Sequence, residues 1–428
     1  MTLTCENINI YNQTLRGGII LYNTQQEYKV YPYRWINYFV YLFVCISAAA
    51  GFSSKSTLLS TMAQRWDTAL GTVALLITVF TIWQVLLSLP SGILVSRIGF
   101  KPVIITGISF VILGLYLRST VDAFMPFLYF TIIAGFGWGL ILGPMGKIVA
   151  NWFPLHERGQ ANSYFPAGIN AGMALGSLTS VYFTTTLGWN MGWRIYSFIA
   201  LFVAIVALFA LKEKPPLPPN PQVNASKIKI GKGIRQVMTC FTIPMQYTAL
   251  ATIGAIVITP GLVYPVLYNG GVAPNIAGLI SGFSLAGGVI GTLIIPTRAF
   301  RGKKVRSTML KCSILSPLLF ISIFYLPSSP QTAWMIALTA FFFGFFNVPV
   351  LGMALGFCMI QEEITPANAS ILSGLFLTSI GIGSATIPLL VAKVIDSSGG
   401  LFTAGAWVQV ILLLISLAVI YIHVREQK

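Results

Sequence analysis

Charge is scarce in this sequence. Asp, Glu, Lys and Arg make up 8% of its 428 residues, against about 25% in an ordinary soluble domain. The acids number ten and the histidines two, which leaves little material for a hydrolytic or metal centre. His156 and His423 belong to no ligand cluster. Cys5, Cys45, Cys240, Cys312 and Cys358 are scattered, without the short spacings of a zinc site or the density of a disulfide framework. No glycine loop of the phosphate-cradling kind is present, and no soluble stretch is long enough to hold an ATPase. The first 30 or so residues are polar and lack the basic start and apolar core of a secretory signal. These absences argue against an enzyme, a resident cofactor and a bound metal.

What fills the chain instead is apolar, with 56% of residues hydrophobic. A bilayer core of about 30 Å needs about 20 apolar residues per helix. Runs of that length occur twelve times, at 35–61, 69–93, 102–119, 123–151, 160–187, 192–211, 242–268, 274–297, 306–326, 331–360, 367–395 and 401–423. Between the sixth and seventh lies one long polar segment, Lys212 to Arg235, which proline, glycine and lysine make a linker. The expected architecture is all-α, with twelve transmembrane helices in two pseudo-symmetric six-helix bundles. Its parts are a tail over 1–34, a bundle over 35–211, a linker over 212–241, a bundle over 242–423 and a short tail over 424–428.

A net charge of +16 would suggest nucleic acid in a soluble protein. Here the cations sit in the connections between apolar runs. With both termini and the linker cytoplasmic, twenty Lys and Arg fall inside and four, Arg65, Arg118, Arg194 and Lys393, fall outside, while Lys55 and Lys147 stay within spans. This is a positive-inside distribution, so the basic excess is read as topology and the partner as the lipid bilayer, not nucleic acid.

An internal repeat points to the same architecture. Glu157, Ala161, Asn162 and Gly168 recur at an offset of 206 as Glu363, Ala367, Asn368 and Gly374, as expected of parallel halves in a carrier. Gly168, Gly172 and Gly176 recur every four residues in the fifth span, as do Gly278 with Gly282 and Gly287 with Gly291 in the eighth. Such spacing lets helix backbones approach closely in lipid, or alternatively leaves a substrate path.

The stretch Gly92 to Pro102, GILVSRIGFKP, reads as a tight basic turn between the second and third spans. It resembles the loop motif of the major facilitator superfamily, with Gly92, Leu94, Arg97, Gly99 and Lys101 on motif positions. The acidic position before the arginine is Ser96 here, which removes a charge that in the family helps lock one conformation. WFPLHERGQA, from Trp152, and GWR, from Gly192, resemble segments of organic-anion branches of the same superfamily. The resemblance implies the facilitator fold, transport by alternating access, and a gating role for Gly92, Arg97, Gly99, Lys101, Glu157 and Arg158.

Lys55 is the most informative single residue. An ionised amine at the centre of a lone helix costs about 2.5–3.5 kcal/mol on insertion scales. It either snorkels to the outer surface or faces a cavity, and the charge asymmetry favours the cavity. Tyr41, Ala48 and Lys55 recur every seven residues and so share a face. GFSSKS also resembles the first helix of monocarboxylate and oxalate-type carriers, in which a lysine here binds the carboxylate. Gln84, Asn170, Tyr264 and Asn347 complete a candidate substrate site, each being alternatively an interhelical hydrogen bond. Lys147 either snorkels to the cytoplasm or makes a second anion contact. No Asp or Glu falls near the centre of a span, which disfavours proton symport through a protein carboxylate. The expected function is therefore transport of a small organic anion by a monomeric carrier, with a prokaryotic inner membrane as its expected location. An exporter of drugs or amphipathic metabolites, and an uptake carrier for a neutral or zwitterionic nutrient, are the alternatives.

Overall fold

Within a bilayer a backbone must satisfy its own N–H and C=O groups, which helices and closed barrels alone achieve. The computed structural model describes residues 31–55, 58–68, 70–73, 75–214, 230–238, 242–361, 364–365, 368–399 and 401–424, and among them it contains helices and no strand. The chain begins with α1 (Tyr33–Ser53), α2 (Leu59–Arg65), α3 (Leu70–Val73), α4 (Leu75–Ile98) and α5 (Phe100–Arg118). It continues through α6 (Phe124–Leu142), α7 (Met145–Trp152), α8 (Leu155–Ser163), α9 (Phe165–Thr186) and α10 (Trp189–Ala210). A short α11 (Ile230–Val237) then leads to α12 (Thr242–Asn269), α13 (Pro274–Ser281), α14 (Phe283–Arg301) and α15 (Val305–Ser322). The last three are α16 (Ala333–Met359), α17 (Ala369–Ser397) and α18 (Phe402–His423).

Among the described residues eleven helices are long and apolar enough to cross a membrane, Phe124–Trp152 uniting α6 with α7 and Ile276–Arg301 uniting α13 with α14. The fifth expected span, α9, is not among them. Its 22 residues reach about 33 Å at about 1.5 Å per residue, but Asn, Gly, Ser and Thr dilute its apolar character. Large side chains such as Phe202, Phe209, Leu389 and Ile422 stay exposed on the long helices, where they meet lipid.

Two expectations about local structure need correction. The first span does not run as one helix to 61: α1 ends at Ser53, Ser54 and Lys55 lie in a turn, and α2 begins at Leu59, so Lys55 sits at a break. Nor is Gly92 part of a turn, since α4 runs on to Ile98 and the reversal rests on Gly99 alone, at φ +92°. A side chain there would be strained by that φ and would meet the Glu213 carboxylate at 2.6 Å. Glu213 accepts hydrogen bonds from the N–H groups of Phe100 and Lys101 at 2.9 and 3.0 Å. It thereby satisfies two orphan donors at the start of α5 with a favourably placed charge.

Gly172 packs α9 onto α1, where a Cβ would meet the Ile46 carbonyl at 2.5 Å, and Gly287 and Gly291 let α14 abut the Phe341 and Phe345 carbonyls of α16. Gly278 and Gly282 do not serve this way. Nothing lies within 4 Å of a Cβ at Gly278, and at Gly282 the nearest atom, at 3.4 Å, belongs to Leu279 of the preceding turn.

The first six spanning helices meet the last six through α4 against α17, and through α8 and α9 against α14 and α16. The Ser163 hydroxyl donates to the Gly352 carbonyl at 3.0 Å, the Ser373 hydroxyl to the Gly143 carbonyl at 3.1 Å, and the Tyr164 and Thr297 hydroxyls are 2.6 Å apart. Gly92 brings α4 against the Ser370 carbonyl, and Gly146 brings α7 against that of Ala369. Every one of these residues lies near the helix ends that share a side with the linker, so the molecule is sealed on that side.

Candidate substrate-binding site

The break after α1 places Lys55 in the interior. It is fully buried, and Nζ donates to the Phe52 carbonyl at 2.8 Å. The ammonium lies 4.0 Å from the Phe80 ring centroid and 4.7 Å from that of Phe52, contacts worth about 0.5–2 kcal/mol each. Lys55 makes no ion pair among the described residues. Phe52 in turn packs on Phe80 and lies flat against Trp138, so an aromatic layer covers the cation.

Arg118, expected at the outer surface, is instead fully buried at the end of α5. Its guanidinium donates to the Gly51 carbonyl and the Ser54 hydroxyl and lies over the rings of Phe127 and Trp193. The start of α6 and the start of α10 enclose it. The break in α1 is thus bordered by two cations.

The other expected site residues are spread over the molecule. Gln84 accepts from the Trp138 indole at 3.3 Å and donates to the Leu377 carbonyl at 3.4 Å, so it bridges to α17. Through Trp138 and Phe52 it connects to the cover over Lys55. Asn170 is buried on α9 without a hydrogen bond among the described residues. The Tyr41 hydroxyl is 3.0 Å from the Ile141 carbonyl, and its ring stacks on Phe165. Asn347 donates to the Thr252 carbonyl at 3.1 Å and borders a polar cavity with Ser313, Ser316 and Ser416, large enough for about one water. Tyr264 is 38% exposed and stacks on Tyr268 at 6.0 Å. Lys55 and Gln84 therefore share a neighbourhood, whereas Asn347 and Tyr264 lie among the later helices.

The residues of the expected gate cluster on the linker side. Glu157 forms a two-pronged pair with Arg34, at 3.0 and 3.1 Å. Arg158 is buried and donates to the Ala150 and Phe153 carbonyls, closing the end of α7. Burial pushes its guanidinium down to about 10, so it stays charged at neutral pH. Arg97 is exposed, and Ser96 turns its hydroxyl back to the Ile93 carbonyl at 2.6 Å. On the opposite side Asp122 accepts from Arg65 at 2.7 Å and from the Trp66 indole at 3.2 Å. The Arg65 hydrogen bonds hold the Asp122 carboxyl below its ordinary value.

Comparison with known proteins gives this arrangement a context. The model of the Major Facilitator Superfamily matches residues 40–361. The chain belongs to the Major Facilitator Superfamily. Like its relatives in that superfamily it is a multi-pass membrane transporter and not an enzyme. It is 22% identical to a probable galactarate/D-glucarate transporter of Bacillus subtilis, GudP, over 85% of this chain and 87% of that one. It is 26% identical to a probable chloroplastic anion transporter of Oryza sativa subsp. japonica, over 48% of this chain and 39% of that one. Among solved structures, the facilitator FucP in its outward conformation matches 92% of this chain and all of its own, with a TM-score of 0.70 at 14% identity. The proton:xylose symporter XylE matches 92% of this chain and 97% of its own, with a TM-score of 0.74 at 12% identity. These likenesses show the facilitator fold of twelve helices in two related bundles. The paired seams, α4 with α17 and α14 with α9, are the second span on the eleventh and the eighth on the fifth, as that symmetry requires.

Sequence reasoning passed over Arg118, Trp193, Phe52 and Glu213. A signal for Arg118 was available, because outer cations are few in a positive-inside chain. Phe52 and Trp193 carry none, since aromatic residues abound in every span.

Proposed function

We propose that this facilitator moves a small organic anion of the carboxylate type by alternating access between its two bundles, 35–211 and 242–423. The observation that carries this reading is Lys55, a fully buried amine at a helix break with no carboxylate partner among the described residues. A cation in low dielectric attracts an anion strongly, and discontinuous membrane helices are where carriers place their sites. Relatives named as galactarate/D-glucarate and anion transporters support the same class. Gln84 and Asn170 offer amide contacts near the seam, with Tyr41, Tyr264 and Asn347 as further candidates. Gly92, Arg97, Gly99, Lys101, Glu157 and Arg158 serve the linker-side gate rather than the substrate. The charge distribution supports reading that side as cytoplasmic, in which case the sealed state faces outward; a prokaryotic inner membrane and a monomeric carrier belong to the same proposal.

The test is ligand-induced thermal stabilisation of the purified carrier across carboxylates, amino acids, sugars and cationic drugs, with Lys55→Ala beside wild type. Ligand at about 100 times Kd stabilises by about 2.7 kcal/mol. A carboxylate is expected to stabilise wild type and not the variant. Equal stabilisation of both proteins by neutral or cationic compounds alone would overturn the anion reading and favour an exporter.

A further inference from the structure

Among the described residues around the end of α1, hydrogen-bond donors outnumber acceptors. Arg118 presents five N–H groups, yet it makes two hydrogen bonds to protein, to the Gly51 carbonyl and the Ser54 hydroxyl, both at 3.3 Å. Both are long for N–H···O contacts. Its Nε is buried and has no partner among the described residues. The indole of Trp193, whose ring centre is 4.7 Å from the guanidinium carbon, is buried as well, and its Nε1 likewise has no partner among the described residues. Lys55, one residue from Ser54, spends one of its donors on the Phe52 carbonyl. Neither cation forms an ion pair among the described residues. Asp122 is taken by Arg65 and Trp66, Glu157 by Arg34, and Glu213 by the start of α5.

Capping the end of α1 accounts for the bond to Gly51 and for one cation there, since helix C-termini favour positive charge. It does not account for a second cation close by, which repels the first in low dielectric. Nor does it account for two orphaned donors, each of which costs desolvation energy unless something accepts from it. An acceptor with two negative charges resolves all three.

We propose that Arg118 is a second anion-binding residue, and that with Lys55 it selects substrates carrying two carboxylates. One carboxylate pairs with Lys55 after Phe52 moves aside; the other takes the Nε and terminal N–H groups of Arg118, with the Trp193 indole as an added donor. This rests on the reading of Lys55 as the anion partner and adds to it the number of charges on the substrate.

Matched acids differing by one carboxylate test it: galactarate against galactonate, and succinate against butyrate. Binding to the purified full-length carrier is measured by calorimetry for wild type, Arg118→Gln, Arg118→Lys and Lys55→Ala. In at least one pair the diacid is expected to bind wild type about tenfold or more tighter than the monoacid, as a charge-assisted contact allows. Arg118→Gln is expected to cost the diacid about tenfold or more beyond whatever the monoacid loses, so that the two acids converge, and Arg118→Lys to restore part of the difference. Equal affinity within every pair for wild type would overturn the proposal, as would an equal loss of both acids in Arg118→Gln, which marks a purely structural role. Should Arg118→Gln fail to fold, the wild-type pairs and Arg118→Lys still decide. Monoacid binding that depends on Lys55 without any preference for the diacid removes this inference alone. Failure of every acid to bind removes the organic-anion reading with it.

Discussion

Lys55, proposed above as the substrate's charge partner, sits where a buried ammonium weakens the fold that carries it. Two aromatic rings and one carbonyl compensate only part of what a buried ammonium loses with its water. Lys55→Met keeps the apolar stem and drops the charge. Its expected effect is a higher melting temperature for the unliganded carrier, since replacing buried charge by packed apolar atoms is neutral or stabilising by about 1–4 kcal/mol. The same variant loses stabilisation by carboxylates, and a lower melting temperature would count against an unpaired cation at this position. Asp122 behaves differently because it is paired and largely exposed. Its carboxyl is held below its ordinary value by Arg65. That contribution to stability is therefore present above the unfolded value and lost as pH falls through the lower, folded one. Asp122→Asn is expected to lower the melting temperature at neutral pH, with the difference from wild type vanishing below the usual carboxylate range.

Helices in lipid gain nothing from hiding apolar surface from other apolar surface, so contact distance governs their association. Gly287 and Gly278 lie nine positions apart in sequence but differ in what surrounds them. Leucine at 287 has to displace the α16 backbone, and overpacking of this kind costs about 1–3 kcal/mol. Leucine at 278 meets open space. Thermal unfolding in detergent is expected to separate the two variants clearly, and equal melting temperatures would show that α14 and α16 do not approach as described. Glu213 plays a comparable part for α5, fixing its first turn from a residue just beyond α10 and leaving Gly99 as the sole hinge.

The molecule as a whole is held shut along one side by Ser163, Tyr164, Ser373 and the glycines that face them. A carrier that alternates must break these contacts in each cycle. Paired cysteines at Tyr164 and Thr297, in a chain whose five native cysteines are replaced, are expected to cross-link on oxidation and to stop transport. Reductant is expected to restore it. Undiminished transport in the cross-linked protein would mean that this seam does not open.

Hydropathy is a property of a stretch taken alone, so most of the long apolar helices were legible before any coordinates, while most of the expected linker lies outside the described residues. The isolated Lys55 was legible for the same reason, since a single charge in an apolar run needs no partner to be noticed. The turn between the second and third spans was legible too, but not its confinement to Gly99, where Glu213 arrives from more than a hundred positions away. Nor was the burial of Arg118, which the end of α1 and the rings of Phe127 and Trp193 produce together. The end of α1 at Ser53 belongs with these, since the sequence from Phe52 up to Lys55 carries no proline or other helix breaker. Composition along the chain determined that this protein crosses a membrane many times and where. Which charges lie side by side, and which side is closed, followed from contacts between distant segments that no local pattern encodes.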